Sequence, residues 1–532
     1  MKLDIKKLNP MKWDKKILII IPAIVALLLA LIPTIRYQYP LSWDIVYHIA
    51  YAKVYAMNGF VFSDPSINGG QKIGYPPLFH YMLLLIADIT NGDYFQIAKY
   101  LQPLMALGIV LSVSYVAKKF YGTLAGVTAG FMIISSNLFN RAILTIPENL
   151  ALILMTLSLY FYYLSFKNQD YKPAILGGFL LLLVAFTHEA ASFLLLVTAT
   201  VITFILLIFR PKLNILVNYG AFLSIGIISL IFLGVSIFVF RPELITSILH
   251  SGFTQTTGLL VTLSPNENRP LNILAYPYYL GIILSIFSLV GLIWALKVRR
   301  MKDVYVILWF LVLVITSFAY IIGINVISYR LLIYIAIPLA ILAGLGVSKT
   351  YNLIKNRQQD FRWNFSLIFI IVLFSLSTAL GYITVTSPHI AIFGDETKYG
   401  TFTISPPTPA GQEVIDWFQQ NGDKSKVLVS SNEFFAMYIL AITGQPISYQ
   451  ESALVGESSI KSMKNANIGY LLYDKNLTFS GEGDKEANGQ YANFSYDLGL
   501  LFFNQDPHNL IPSYAHIVYE NDQYIICEVK YD

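Results

Sequence analysis

The chain has 532 residues, of which 56% are hydrophobic and 13% charged, against about 45–50% apolar and about 25% charged in ordinary globular domains. With a mean hydropathy of +0.60, this composition excludes a soluble enzyme and requires apolar segments of roughly 20 residues, enough to cross about 30 Å of hydrocarbon. The net charge of +5 is unevenly divided: residues 387 to 532 hold 8 Lys/Arg and 18 Asp/Glu, a balance of −10, whereas the first 386 hold 28 and 13, a balance of +15. A basic-looped membrane body is thus joined to an acidic soluble domain, and nucleic acid is not an expected partner. The single cysteine, Cys527, allows no internal disulfide.

In chain order, Lys2, Lys6, Lys7, Lys12, Lys15 and Lys16 precede an apolar run from Ile17 to Ile35. No small-residue cleavage site follows, so the run is expected to be a retained first span rather than a signal peptide, with the lysines cytoplasmic. Ten further spans are expected at about 97 to 117, 122 to 139, 149 to 166, 173 to 187, 190 to 209, 214 to 240, 271 to 296, 303 to 323, 331 to 348 and 364 to 386.

The segment 76 to 90 opens with Pro76-Pro77, is short, and contains His80 and Asp88. If it does not cross, the inner loops receive Lys118, Lys119, Lys167, Lys172, Arg210, Lys212, Lys297, Arg299, Arg300, Lys302, Lys349, Lys355, Arg357 and Arg362. The outer loops downstream then keep Arg141, Arg241, Arg269 and Arg330. Fourteen against four favours a non-crossing, juxtamembrane helix. The same choice places the loop from Arg36 to Tyr75 and the acidic C-terminal domain on the extracytoplasmic side of a multi-pass cell-membrane protein.

In that domain a helix with its apolar face at Val414, Ile415 and Phe418 precedes a strand at Lys426 to Ser430, and a second strand follows at Ile468 to Tyr473. A hairpin closes the chain, with strands His516 to Tyr519 and Gln523 to Val529 turning at Asn521-Asp522. Asn476-Leu-Thr and Asn493-Phe-Ser are glycosylation-type triplets. The expected fold class is therefore a polytopic α-helical membrane protein of about 11 spans with an extracytoplasmic α/β domain. Residues 1 to 386 form the membrane domain, with 36 to 95 as an outer loop bearing juxtamembrane helices, and 387 to 532 form the soluble domain.

Ionisable groups near hydrocarbon are costly, so those that remain are candidates for function. Asp44 lies just outside the first span, and i, i+4 spacing puts His48 on the same helical face. Glu148, after Pro147, opens the fourth span from outside; His188 and Glu189 lie at the outer end of the fifth; Arg330 opens the tenth. A site handling a phosphate-bearing lipid needs a cation for the phosphate, a carboxylate as base and an apolar groove for the tail. Each residue also has a structural alternative: an N-cap for Asp44, a dipole-compensating first-turn acid for Glu148, a hydrogen-bonded pair for His188 and Glu189, an interface anchor for Arg330. Asp44, His48, Glu148 and His188 carry ligand types that suit Mg, Mn or Zn, although their spacing is not diagnostic. No Walker loop or nucleotide fingerprint occurs on the inner face, so the energy for any transfer has to come from a lipid-linked donor.

At these residues the sequence resembles the C-type (GT-C) glycosyltransferase superfamily, over roughly residues 17 to 350. The resemblance rests on Trp43-Asp44 to His48, Ala52 and Asn58-Gly59-Phe60; on Gly74-Tyr75-Pro76-Pro77-Leu78-Phe79-His80, similar to a stretch of aminoarabinose-type and family 39 transferases; on Arg141 to Glu148; on Thr187-His188; and on Tyr329-Arg330 before a span containing Pro338. It implies a GT-C membrane module in which Asp44 acts as base on the acceptor or helps to hold a metal, Mg or Mn. Glu148 completes the catalytic or metal set, and Arg330 holds the lipid phosphate. Arg141, His188 and Glu189 join it as candidate substrate-binding residues. Tyr75 stands where the family has lysine, leaving Lys72 and His80 as substitutes in a phosphate clamp around the lipid entrance.

Oligosaccharyltransferases share the Asp44 to His48 resemblance, but Ser42 stands where their Asp-x-Asp form wants an acid, and their Trp-Trp-Asp-Tyr-Gly motif is absent. The expected activity is inverting transfer of a single sugar from a polyprenyl-phosphate carrier to a protein, lipid or glycan acceptor at the outer face of the bilayer. The alternatives are a lipid-linked-sugar flippase or transporter, a non-catalytic scaffold of a glycan pathway and, within the enzyme class, an oligosaccharyltransferase.

Overall fold

Backbone amides and carbonyls have no water to bond in hydrocarbon, so long apolar runs satisfy them internally by becoming helices. The computed structural model describes residues 17–42, 44–61, 63–64, 66–67, 71–210, 214–240, 272–324, 326, 328–357, 364–386, 407–475, 478–479, 491–493, 500–503 and 506–531. The lysines at 2 to 16, Trp43, Lys212, Arg241, Arg269, Arg362 and Asn476 lie outside them. The chain divides into two compact units, Met1–Ile35 with Leu101–Ser387, and Arg36–Tyr100 with Pro388–Asp532. The outer loop, which the sequence reading attaches to the membrane body, clusters with the C-terminal residues.

The helices are α1 (Ile20–Arg36), α2 (Asp44–Asn58), α3 (Leu78–Thr90), α4 (Tyr94–Tyr121), α5 (Thr123–Ile134), α6 (Phe139–Ala142), α7 (Pro147–Asn168), α8 (Lys172–Ala185), α9 (Glu189–Phe209), α10 (Ile215–Phe240), α11 (Tyr276–Leu280), α12 (Ile282–Val298), α13 (Met301–Thr316), α14 (Leu332–Arg357) and α15 (Phe365–Thr386). Among the described residues six are long and apolar enough to cross a membrane, or seven if the bent pair ending in α12 is one span. A count of eleven adds the shorter α1, α5, α8 and α13. The protein is a polytopic helical membrane protein. Segment 76 to 90 is the 13-residue α3, which belongs to the second unit.

The segment expected as one span at 271 to 296 is broken, with its two helical parts 115° apart. Gly281 sits at the break with φ of 98°, a conformation that favours glycine, and Pro277 opens the short helix before it. Hydropathy sums apolar character along the chain and does not register such a bend.

The centre of the membrane unit is α14, in which every residue from Leu332 to Val347 is buried. Its neighbours come close enough to exclude side chains. A Cβ on Gly346 would lie 2.1 Å from the Phe287 carbonyl oxygen, and one on Gly291 would lie 1.9 Å from that of Leu342. Small residues at helix contacts are how membrane helices gain packing where lipid is as apolar as leucine. A polar tie is added by Tyr305, whose hydroxyl donates to the Leu159 carbonyl at 2.7 Å.

In the second unit, α16 (Pro409–Asn421) and α17 (Glu433–Thr443) accompany a five-stranded mixed sheet of order β4-β3-β5-β10-β9. These strands are β3 (Val427–Ser430), β4 (Ile447–Ser448), β5 (Ile468–Asp474), β9 (Ala515–Glu520) and β10 (Tyr524–Val529). Strand β3 runs parallel to β4 and β5, while β10 is antiparallel to β5 and β9. Val414, Ile415 and Phe418 are the buried face of α16. The closing hairpin turns where the Asn521 side-chain oxygen accepts from the Gln523 and Tyr524 amides. Cys527 is buried in the core with Leu471, Ile525 and Met463, and burial pushes its thiol up to about 12. Short strands β6 (Thr478–Phe479), β7 (Tyr491–Asn493) and β8 (Leu500–Phe503) form a three-stranded sheet of order β6-β8-β7, and Asn493 ends β7.

The helix contacts make a clear test. Gly346→Leu is expected to lower the melting temperature of the purified protein, with a cost of about 1–3 kcal/mol or more from overpacking. Gly220→Ala, in α10 with no atom within 4 Å of its Cβ position, should melt at or above the wild-type temperature. Equal melting of the two variants would contradict this packing.

Candidate functional site

In the membrane unit the candidate residues gather on one carboxylate. Pro147 opens α7, where its missing N–H is no loss, so Glu148 falls in the first turn, where helix dipole and acid agree. Glu148 is nearly fully buried, at 4% exposure, and a buried carboxylate needs a partner. Arg141, in the short α6, supplies it: Nε donates to Glu148 Oε2 at 2.9 Å and Nη2 to the same oxygen at 2.6 Å. Asn149 secures the turn between them, its side-chain amide donating to the carbonyls of Arg141 and Leu144, each at 2.7 Å.

His188 and Arg330 add their fields to the same carboxylate. His188 caps α9, its Nδ1 accepting from the Ala191 amide at 3.2 Å, so in the neutral ring Nε2 carries the proton. Arg330 lies in a single 3₁₀ turn (Ser328–Leu331) ahead of α14. That turn is tied to the end of α13 by the Ser328 hydroxyl, which donates to the Ser317 carbonyl at 2.7 Å. Arg330 is exposed. Glu189 is exposed too and is not among the charges that act on Glu148. Two guanidiniums, Arg141 and Arg330, thus act on this carboxylate.

Two members of this cluster escaped the sequence reading. Tyr334, buried at 2% exposure, turns its hydroxyl toward Glu148 without a hydrogen bond of normal geometry. It follows Arg330 by one helical turn, a spacing that could have pointed to it. Asn149 follows Glu148 directly, but its role lies in backbone carbonyls that no motif reveals.

The other candidates belong to the second unit. Asp44 is half-buried in the first turn of α2. The preceding Ser42 is buried with φ of 79°, a left-handed conformation rare outside glycine, and its hydroxyl accepts from the Asp44 amide at 3.2 Å. Backbone strain of this kind concentrates at functional sites. His48 lies within 3.0 Å of His80, Nδ1 to Nε2, and both rings are buried. The His48 ring also meets Tyr75 edge-on at 4.7 Å and Phe79 at 5.6 Å, while Tyr51 and Tyr55 pack on His80. Lys72 lies in β2 (Gln71–Lys72), paired with Ser63 of β1 (Ser63–Asp64).

Asp44, His48 and Glu148 are the residues that a divalent metal would use. Among the described residues no group of three or more His, Cys, Asp and Glu is placed to hold a metal ion. His48 is engaged by His80, and Glu148 is bridged by Arg141.

No family model matches the chain, and no curated protein does. Solved structures do. The oligosaccharyltransferase AglB of Archaeoglobus fulgidus, in complex with an inhibitory peptide and a dolichol-phosphate, aligns with a TM-score of 0.61 at 12% identity, covering 88% of this chain and 70% of that one. ArnT from Cupriavidus metallidurans bound to undecaprenyl phosphate aligns with a TM-score of 0.56 at 11% identity, covering 96% and 97%. The mycobacterial arabinofuranosyltransferase AftD gives 0.50 at 13% identity, covering 86% and 36%. These are GT-C membrane glycosyltransferases, and what this chain shares with them is the fold.

The histidine pair gives a pH test. Burial pushes the His80 imidazole down to about 3, whereas the unfolded chain takes a proton near the ordinary value of about 6.5. Between these values only the unfolded state binds the proton, so stability is full above pH 6.5 and is lost as pH falls. Thermal melts of purified protein should show about 2 kcal/mol lost between pH 6.5 and 5, with a shallower loss in His80→Gln. Parallel pH profiles would refute the assignment.

Proposed function

We propose, for a chain that shares the fold of the GT-C membrane glycosyltransferases, that it transfers a sugar from a polyprenyl-phosphate carrier to an acceptor on the extracytoplasmic face. The observation that carries this reading is Arg330: an exposed guanidinium at the head of the buried helix α14 that acts on the carboxylate of the Arg141–Glu148 ion pair. Such a group suits a phosphate that gains charge as it departs.

In this reading the tail of the donor lies among the spans and its phosphate meets Arg330, with Arg141 and His188 adding to the positive field. Glu148 holds Arg141 and His188 in place. Asp44 takes the proton from an acceptor hydroxyl as its oxygen attacks the anomeric carbon. The bond from that carbon to the phosphate oxygen breaks, polyprenyl phosphate leaves with the electron pair, and configuration inverts. The support for Asp44 is its place in a strained turn and its resemblance to the first-loop acid of the superfamily. Tyr75 and the His48–His80 pair shape the loop beside it, and Lys72 is the candidate second cation for the phosphate. No step is assigned to a metal.

The test is transfer of label from a panel of radiolabelled polyprenyl-phosphate sugars into cell-envelope acceptors, using purified protein in lipid. Asp44→Asn should lower kcat by about 10²-fold or more, and Arg330→Gln should weaken the use of the donor. Wild-type protein that binds the lipid and never transfers sugar would sink the proposal in favour of a flippase or scaffold. An EDTA arm reports directly on metal dependence.

A further inference from the structure

Helix α2 is gripped from opposite sides. On the face it shares with Asp44, His48 meets His80 of α3. Lys53 follows Asp44 by nine residues, two and a half turns, and so leaves the helix on the other side. Its ammonium donates to the Ala441 carbonyl oxygen at 2.6 Å. Ala441 lies in the last turn of α17, where carbonyls lack partners within the helix and the dipole favours a cation. The Tyr94 and Phe95 rings lie 5.9 and 5.8 Å from the same ammonium, and Asp93 acts on it electrostatically. One turn from Asp44, the Tyr47 ring meets Phe434 of α17 edge-on at 6.2 Å.

Tyr47 adds a side-chain hydrogen bond to Tyr449, and apolar burial of α2 comes through Ile45, Val46, Ile49, Ala50 and Val54. Apolar contacts are non-directional, so they tolerate a small axial slip or rotation. A hydrogen bond from a half-buried ammonium to one carbonyl does not. A leucine would fill the same volume without the desolvation of a cation, so the lysine supplies direction rather than burial.

We propose that Lys53 is a positioning residue for Asp44: by tethering α2 to the end of α17, it sets the register of the helix whose first turn carries the acid. The C-terminal domain is then part of the transfer machinery as the frame of α2, and a ligand that shifts α17 shifts Asp44 with it. This rests on the role given to Asp44 above.

The experiment uses the full chain in lipid nanodiscs, as wild type, Lys53→Met, Lys53→Arg and Asp44→Asn. Two quantities are measured: hydrogen exchange over residues 44 to 58, and kcat and KM with whichever polyprenyl-phosphate sugar the wild type accepts. In Lys53→Met, exchange over α2 should quicken about tenfold. Its kcat should fall by roughly ten- to a hundredfold, the scale of a misplaced catalytic group, with KM for the donor unchanged. Lys53→Arg should restore both. Should Lys53→Met fail to fold, Lys53→Gln, which keeps a donor, should lie between it and Lys53→Arg. Unchanged exchange over α2, equal quickening across the C-terminal sheet, or no rescue by arginine would overturn the proposal. Full transfer by Asp44→Asn with α2 still loosened in Lys53→Met would instead overturn the role of Asp44 and leave the tether standing.

Discussion

A carboxylate taken out of water must be neutralised, and Glu148 imposes that condition on the membrane unit. Its burial at the head of α7 calls for the Arg141 guanidinium, which in turn calls for the α6 turn that Asn149 holds through two carbonyls. His188, fixed as the cap of α9, and Arg330, fixed by the turn before α14, complete the surroundings. Breaking one partner of a buried pair is far more costly than the pair is stabilising. The arrangement therefore places several helix ends with a specificity that apolar packing does not supply.

The second unit solves a related problem with neutral and singly charged groups. The His48 and His80 rings share a hydrogen bond inside an aromatic enclosure, and Lys53 spends its charge on a helix terminus. Both devices act on α2 through directional bonds. Residues 36 to 100 and the C-terminal sheet thus belong to one compact unit, joined further by the bridge between Ile67 and Ile447.

Much of this was legible along the chain. The apolar runs marked the helices because hydrocarbon leaves the backbone no alternative, and Asn521-Asp522 marked the hairpin turn because asparagine bonds the backbone two residues on. The candidate site was legible as residues and not as partnerships. Asp44 and His48 share a face by spacing alone, but what that face meets depends on α3, and it meets His80. His188 and Glu189 are adjacent in sequence, yet one acts on Glu148 and the other faces outward. The bend at Gly281 was hidden because apolar character continues through it.

The sequence by itself determined the class of molecule, the helical elements, the acidic mixed α/β domain and the identity of the polar residues that survive near hydrocarbon. These depend on composition and local periodicity, which each segment carries alone. Only the tertiary structure decided that Arg141 pairs with Glu148, that Tyr334 and Asn149 belong to the same cluster, and that α2 is framed by α3 and α17. Each of these depends on which segments meet, and contacts between residues as far apart in the chain as Lys53 and Ala441 are set by packing, not by any local pattern.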